Sequence, residues 1–181
     1  MIKSKAILKE YINADRSRYK LQYPTWIGLF LKNEATITCD VLKTVRYLEY
    51  YTNIRKNPIQ KLAYLYYKVS YIRKTNKYGL HIPINVVGKG LYIPHIVGGV
   101  ILNALHVGDY CTINSGVILG NKKDGEMPFI GDNVELTIGC KVIGNVKVGN
   151  NAIVAPNSVV VKDVDDDTIV SGVPAKFLKR R

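Results

Sequence analysis

Residues 129–160 read FIGDNVELTIGCKVIGNVKVGNNAIVAPNSVV, and the spacing of their branched aliphatics decides the fold. Ile130, Leu136, Val142, Val148, Val154 and Val160 follow one another every six residues. Upstream the series continues as Val107, Ile113 and Leu119, with one step of eleven between Leu119 and Ile130. Six residues is about 1.7 turns of α-helix, so this spacing would scatter the aliphatics around a helix. Short strands that turn a corner every sixth residue point them all inward, which predicts a stacked parallel β-helix. A β-sandwich would instead alternate with period two and break at turns every 8 to 12 residues or so.

A second register agrees with the first. Four residues after the aliphatics come Cys111, Val117, Val134, Cys140, Val146, Ala152 and Ser158, all small or β-branched, as a narrow inner corner requires. One position after the aliphatic stands Gly108, Gly120, Gly131 or Gly149, where the backbone must bend. The repeat reaches upstream through Val87 and Ile93 to Gly99, after which two extra residues intervene before Val107; that irregularity surrounds His95. The long step places Asn121 to Pro128 in a loop outside the coil.

Charge divides the 181 residues in two. Residues 1–79 hold 16 Lys and Arg against 5 Asp and Glu, and residues 80–181 hold 10 against 9. Eleven of the 13 tyrosines also precede residue 80. We read 1–79 as a basic, tyrosine-rich helical region, with helices near residues 3–13, from about Cys39 to Arg55, and from Pro58 to about Lys77, stopped by Gly79. Residues 80–181 form the β-helical domain. Lys and Arg usually coat exposed faces, so the plain reading of the basic region is a solvated appendage whose tyrosines pack on the β-helix or on a neighbouring subunit; its sharper rival is attraction to an anionic membrane face or a lipid-linked substrate. No zinc-finger spacing, helix-turn-helix signal or RNP-like stretch accompanies the charge, which argues against nucleic acid. The first ten residues resemble no signal peptide and no run is long enough to span a bilayer, so a cytoplasmic location is expected, with the inner membrane face as the finer reading.

Few residues can carry chemistry. Two of the three cysteines fall on inward positions and read as core. Asp165 to Asp167 read as a solvated turn. No phosphate loop, Gly-x-Ser-x-Gly elbow or paired-cysteine motif occurs. The histidines, at 81, 95 and 106, include no close pair, so no metal is expected. His106 precedes an inward aliphatic and should face outward, as a surface or interface residue.

Taken together, GKGLYIPH at 88–95, Gly98-Gly99, the loop ending at Pro128, IGDN at 130–133, KVIG at 141–144 and GVPAK at 172–176 resemble the hexapeptide-repeat acyltransferases of the serine acetyltransferase branch. The likeness covers residues 80–178 or so. It implies a mainly β fold, a left-handed parallel β-helix behind a short α-helical N-terminal region, assembled as a homotrimer with acetyl-CoA bound between neighbouring β-helices. It makes His95 the general base, which removes the proton of an attacking alcohol. By the same analogy Gly120, Ile138 and Pro156 flank the pantetheine arm, and Lys162 and Lys176 approach its phosphates. His81, Glu126 and Met127 are candidate acceptor contacts.

Departures from that branch shape the expected substrate. Pro94 stands where the serine enzymes carry an Asp, Glu126-Met127 where they carry an Arg-His pair that grips the serine carboxylate, and Leu80 where an acidic residue orients the histidine. His95 would then be oriented by a backbone carbonyl or by His81. A carboxylate meeting Glu126 is repelled, not gripped. The expectation is therefore O-acetylation of a sugar hydroxyl on a surface-polysaccharide precursor, a small or lipid-linked glycan. Serine O-acetylation, N-acetylation of an amino sugar and a noncatalytic β-helical scaffold are the alternatives.

Overall fold

The computed structural model describes residues 1–21, 24–123 and 125–181. Among the described residues four helices come first: α1 Lys5–Ser17, α2 Thr25–Phe30, α3 Glu34–Asn53 and α4 Pro58–Tyr78. Thirteen short strands follow: β1 Leu80–His81, β2 Val100–Leu102, β3 His106–Val107, β4 Thr112–Ile113, β5 Ile118–Gly120, β6 Phe129–Ile130, β7 Glu135–Leu136, β8 Lys141–Ile143, β9 Lys147–Val148, β10 Ile153–Val154, β11 Val159–Val160, β12 Thr168–Gly172 and β13 Ala175–Arg180.

The strands form the three walls of a prism. Wall I stacks β1, β2, β5, β8 and β11; wall II stacks β4, β7, β10 and β12, with β13 at its edge; wall III stacks β3, β6 and β9. Every pairing is parallel except β12 with β13. Glu135 pairs with Ile153, Lys141 with Val159 and Phe129 with Lys147, so one circuit takes 18 residues, three walls of six. All nine aliphatics of the repeat are at most 1% exposed, and Cys111, Val117, Val134, Cys140, Val146, Ala152 and Ser158 are buried beside them. Burying each such aliphatic contributes about 1.5–3 kcal/mol, which makes the repeat the main stabilising element.

Corners follow from residue type. A side chain at Gly108 would run into the carbonyl of Gly131 one coil on, so only glycine fits. Beside it the turn is tied by a ladder of short polar side chains: Lys89 N donates to Asp109 Oδ1 (2.9 Å), Asp109 N to Asp132 Oδ1 (2.8 Å), Asp132 N to Asn150 Oδ1 (2.8 Å) and Asn150 N to Asp166 Oδ1 (2.7 Å). The acidic run at 165–167 supplies the last rung.

The upstream register differs from the expected one. Leu102, fully buried, takes the inward place and pairs with Leu119, whereas Gly99 lies at a corner against the backbone of Gly79. The segment from Pro94 to Gly99 is thus the irregular piece, and His95 sits in it.

α2 and the start of α3 differ from expectation, whereas α4 keeps the expected bounds. α3 begins at Glu34, where Asn33 caps it by accepting from Thr36 N (3.1 Å), and α2 precedes it. α4 begins at Pro58 behind an Asn57–Gln60 capping box and ends at Gly79 in the left-handed conformation (φ 65°). The helices pack directly on the prism. Tyr19, Ile37, Val41, Leu42 and Val45 share one apolar core with the first coils of the prism.

They also close its open end. The first coil has no preceding coil to pair with, and a solenoid end left bare exposes backbone groups. Asp15 Oδ1 accepts from Leu91 N (3.0 Å), Tyr19 Oη from Ile93 N (2.8 Å) and Glu49 Oε1 from Asn85 N (2.8 Å). Arg46, 1% exposed, donates to Asp15 (2.8 Å), Glu49 (3.1 Å) and the carbonyls of Val87 (2.8 Å) and Gly88. Burial works against the charge of Arg46, yet Asp15 and Glu49 outweigh it and hold the guanidinium above its ordinary range. Burial also pushes Glu49 up, further than Arg46 pulls it down.

Candidate active site

His95 lies on the edge where wall II passes into wall I. Tyr92 bridges to Thr112 of β4 on one side, and β2 begins at Val100 on the other. Its side chain is 68% exposed, and Nδ1 lies 3.0 Å from Oε2 of Glu34, the first residue of α3. A carboxylate only accepts, so Nδ1 carries the proton and Nε2 presents its lone pair outward. The backbone is pinned nearby: Ser115 Oγ donates to the His95 carbonyl (3.2 Å), and Tyr19 holds Ile93 N two residues earlier.

The same edge carries two of the residues expected around the pantetheine arm. Gly139 N donates to Ser115 O and Asn157 N to Ile138 O, both at 2.9 Å, so His95, Ser115, Ile138 and Pro156 occupy one corner in successive coils. Coils repeat every 4.8 Å or so along the prism. Ile138 is 56% exposed and Pro156 is exposed, leaving an apolar strip beside the histidine. Gly120 and Lys162 fall on the next edge, where wall I passes into wall III; Gly120 pairs with Ile143 and not with Ile138. Lys176, exposed on β13, belongs to wall II. The structure therefore gathers Ile138 and Pro156 with His95 and sets Gly120, Lys162 and Lys176 elsewhere.

The expected acceptor contacts are not gathered. His81 is exposed at the outer end of wall I, paired with Ile101. Glu126 and Met127 are half-buried in the loop between β5 and β6, where Glu126 N bonds Lys123 O. Among the described residues, no hydrogen bond or ion pair joins any of the three to His95. The expectation that His81 or a backbone carbonyl orients His95 is corrected: Glu34 is the partner of its ring. Glu34 stands 61 positions away and has no local signal; the Asn33-x-x-Thr36 capping pattern would have placed it in the first turn of α3. His106 is half-buried on wall III and stacks on Phe129 with ring centres 4.8 Å apart.

The cysteines are set apart from this edge's chemistry. Burial pushes the thiols of Cys39, Cys111 and Cys140 each up to about 12. That suppresses the thiolate a nucleophile needs.

Comparison with known proteins gives the edge a context. Residues 127–162 match the family model described as bacterial transferase hexapeptide (six repeats). A serine acetyltransferase of Synechococcus elongatus is 40% identical over 97 residues, covering 52% of this chain and 40% of that protein. The chain spans less than half the length of the curated relatives it matches. Among solved structures, a Neisseria gonorrhoeae serine acetyltransferase in complex with serine aligns with a TM-score of 0.68 at 27% identity, over 97% of this chain and 71% of that one. A Brucella abortus serine acetyltransferase in complex with coenzyme A aligns with a TM-score of 0.70 over 97% of this chain and 69% of that one; at 21% identity it speaks for the fold alone. These matches support the left-handed sense of the β-helix and its leading helices. They overturn the expected sugar acceptor of a surface-polysaccharide precursor, because the relatives and neighbours are named serine acetyltransferase. The physical flaw lay in carrying the loop position of the resembled enzymes over to Glu126; among the described residues no bond ties it to His95.

Proposed function

We propose that this chain, a hexapeptide-repeat acyltransferase close to the serine acetyltransferases, transfers the acetyl group of acetyl-CoA to the hydroxyl of serine, with His95 as general base. The observation that carries the reading is the ring of His95: its Nδ1 is tied to a carboxylate, its Nε2 has no partner among the described residues, and it stands on an exposed edge beside the Ile138–Pro156 strip. Serine's hydroxyl is a weak nucleophile. Nε2 takes its proton as the oxygen attacks the thioester carbonyl, the tetrahedral intermediate expels sulfur, and the imidazolium returns the proton to the CoA thiolate. Acid–base assistance of this kind contributes about 10²–10⁴-fold. The thiols of Cys39, Cys111 and Cys140, all held largely protonated, speak for direct attack without an acyl-enzyme.

We infer a homotrimer for the same reaction. Exposed Val97, Ile101 and Ile138 leave apolar surface beside the histidine that a neighbouring prism would cover, forming a cleft for the extended thioester. The second candidate partner, an anionic surface, rests on α4. Ile59, Leu62, Leu65, Val69 and Ile72 are exposed along it, and it carries five basic residues and no acidic one. Among the described residues no helix is long and apolar enough to cross a membrane.

The test is release of CoA from acetyl-CoA by the purified chain with L-serine, with the ester product identified by mass and the oligomer sized by sedimentation. Serine-dependent release that falls at least about 100-fold in His95→Ala is expected. No serine-dependent release, or release unaltered by His95→Ala, overturns the reading.

A further inference from the structure

We propose that Glu34 is the positioning residue for His95, so that the helical layer, and not the β-helix, supplies the carboxylate of the base. The inference rests on the reading of His95 as base and adds the group that sets its tautomer. A histidine base needs one nitrogen protonated and held so that the other faces the alcohol. Glu34 Oε2 is 3.0 Å from Nδ1, and among the described residues no other side chain hydrogen-bonds the ring. The β-helix offers no substitute at the place where the resemblance calls for an acidic residue. Leu80 stands there, fully buried and apolar.

Both ends of the contact are mounted on rigid supports. On the Glu34 side, Asn33 Oδ1 accepts from both Thr36 N and Thr36 Oγ1 at 3.1 Å, fixing the first turn of α3. Gly28 of α2 packs so tightly on Thr36 that a side chain there would collide with it. Ile37, Val41, Leu42 and Val45 then bury α3 against the first coils. On the His95 side, Ser115 and Tyr19 hold the backbone as described. Two segments far apart in sequence therefore meet with little freedom, which is what a carboxylate–imidazole pair needs to favour a single tautomer.

The consequence is that the N-terminal helices complete the active site as well as closing the prism. Glu34 is 38% exposed, so solvent weakens the contact relative to a buried pair. A loss of about 10–100-fold in turnover on its removal is the expected scale.

The experiment uses the full chain as Glu34→Ala, Glu34→Gln and His95→Ala variants, with the serine-dependent assay and ¹⁵N-histidine NMR of the His95 ring. Glu34→Ala and Glu34→Gln should lower kcat about 10–100-fold while KM for acetyl-CoA stays within about twofold. In the native chain the His95 ¹⁵N shifts should report a protonated Nδ1, and that signature should fade in Glu34→Ala without loss of fold in the remaining resonances. If His95→Ala is inactive while Glu34→Ala keeps the native rate and the native ring signature, the positioning role alone falls. If His95→Ala is itself as active as the native chain, the base reading falls and this proposal with it.

Discussion

Replacing Arg46 with Met tests whether the helical cap is a structural requirement of the prism. The substitution keeps an unbranched apolar stem and removes the guanidinium. Asp15 is left with the amide of Leu91, Glu49 with the amide of Asn85, and the carbonyls of Val87 and Gly88 lose their side-chain donor, all in a place where Arg46 is 1% exposed. Breaking a buried ion pair by removing one partner costs about 3–5 kcal/mol, because charge stays buried without compensation. In a chain of this length each kcal/mol moves Tm by about 2–4 °C, so a fall of roughly 6–20 °C is expected. The pH dependence carries the sign. Burial already raises Glu49 above its ordinary value while Arg46 pulls it down, so losing Arg46 raises it further. A carboxyl whose folded pKa lies above its unfolded value binds more protons when folded, and it costs stability as pH rises through that interval. The deficit of Arg46→Met relative to the native chain should therefore be larger at pH 8 than at pH 5. Neutralising the stranded acids in an Asp15→Asn/Arg46→Met/Glu49→Gln chain should recover part of it. Urea unfolding followed by circular dichroism at both pH values measures these differences. A deficit under about 1 kcal/mol, or one that does not change with pH, would refute the account of Arg46 as the charge that makes this end of the prism tolerable to bury.

Two further outcomes follow from the prism. Leu119→Ala, fully buried between Leu102 and Val142 in the stack, should cost about 2–5 kcal/mol, whereas Ile118→Ala on the same strand's outward, half-buried side should cost clearly less; equal costs in urea unfolding would contradict the inward–outward assignment. With all three thiols pushed up to about 12, roughly one in 10⁴ is ionised at pH 8, so a disulfide reagent should leave the native chain untouched and titrate three thiols in urea; a rapid native reaction at Cys39, Cys111 or Cys140 would show that the thiol is not shielded.

The repeat was legible because its rule is local. A wall of six residues forces one large aliphatic inward per wall, so Val107 through Val160 announce the prism from spacing alone. Where that rule breaks, reading fails. Between Ile93 and Leu102 the chain leaves the wall, and counting by sixes lands on Gly99, a corner, instead of the inward Leu102. Periodicity starts α3 at Cys39, where its apolar face is clearest; its start is set by Asn33 and Thr36, a capping bond that periodicity does not register. α2 leaves no periodic signal, since its Trp26 and Phe30 are exposed and form no amphipathic stripe. His95 was found by its resemblance and its solitude. Its partner was not, because the contact joins residues 61 apart and no spacing rule reaches across the fold.

That failure and the cap have one physical origin. A parallel β-helix satisfies its backbone by stacking coil on coil, so its first coil must borrow partners from elsewhere in the chain. Here the borrowed partners are side chains of α1, of the turn after it and of α3: Asp15, Tyr19, Arg46 and Glu49 reach Leu91, Ile93, Val87, Gly88 and Asn85. Ile93 lies two residues before His95, so the coil being closed is also the coil that bears the histidine. Once α3 is committed to closing that coil, its first turn lies beside the irregular corner at no further ordering cost, and an acidic residue placed there meets the imidazole. The apolar Leu80 is then no defect, because a carboxylate reaching His95 from the helical layer lets the first wall keep an unbroken core. Stability of the capped end and orientation of the ring are accordingly coupled through α3. Loosening Arg46 should blur the histidine's tautomer before it unfolds the later coils, which hold one another by stacking alone.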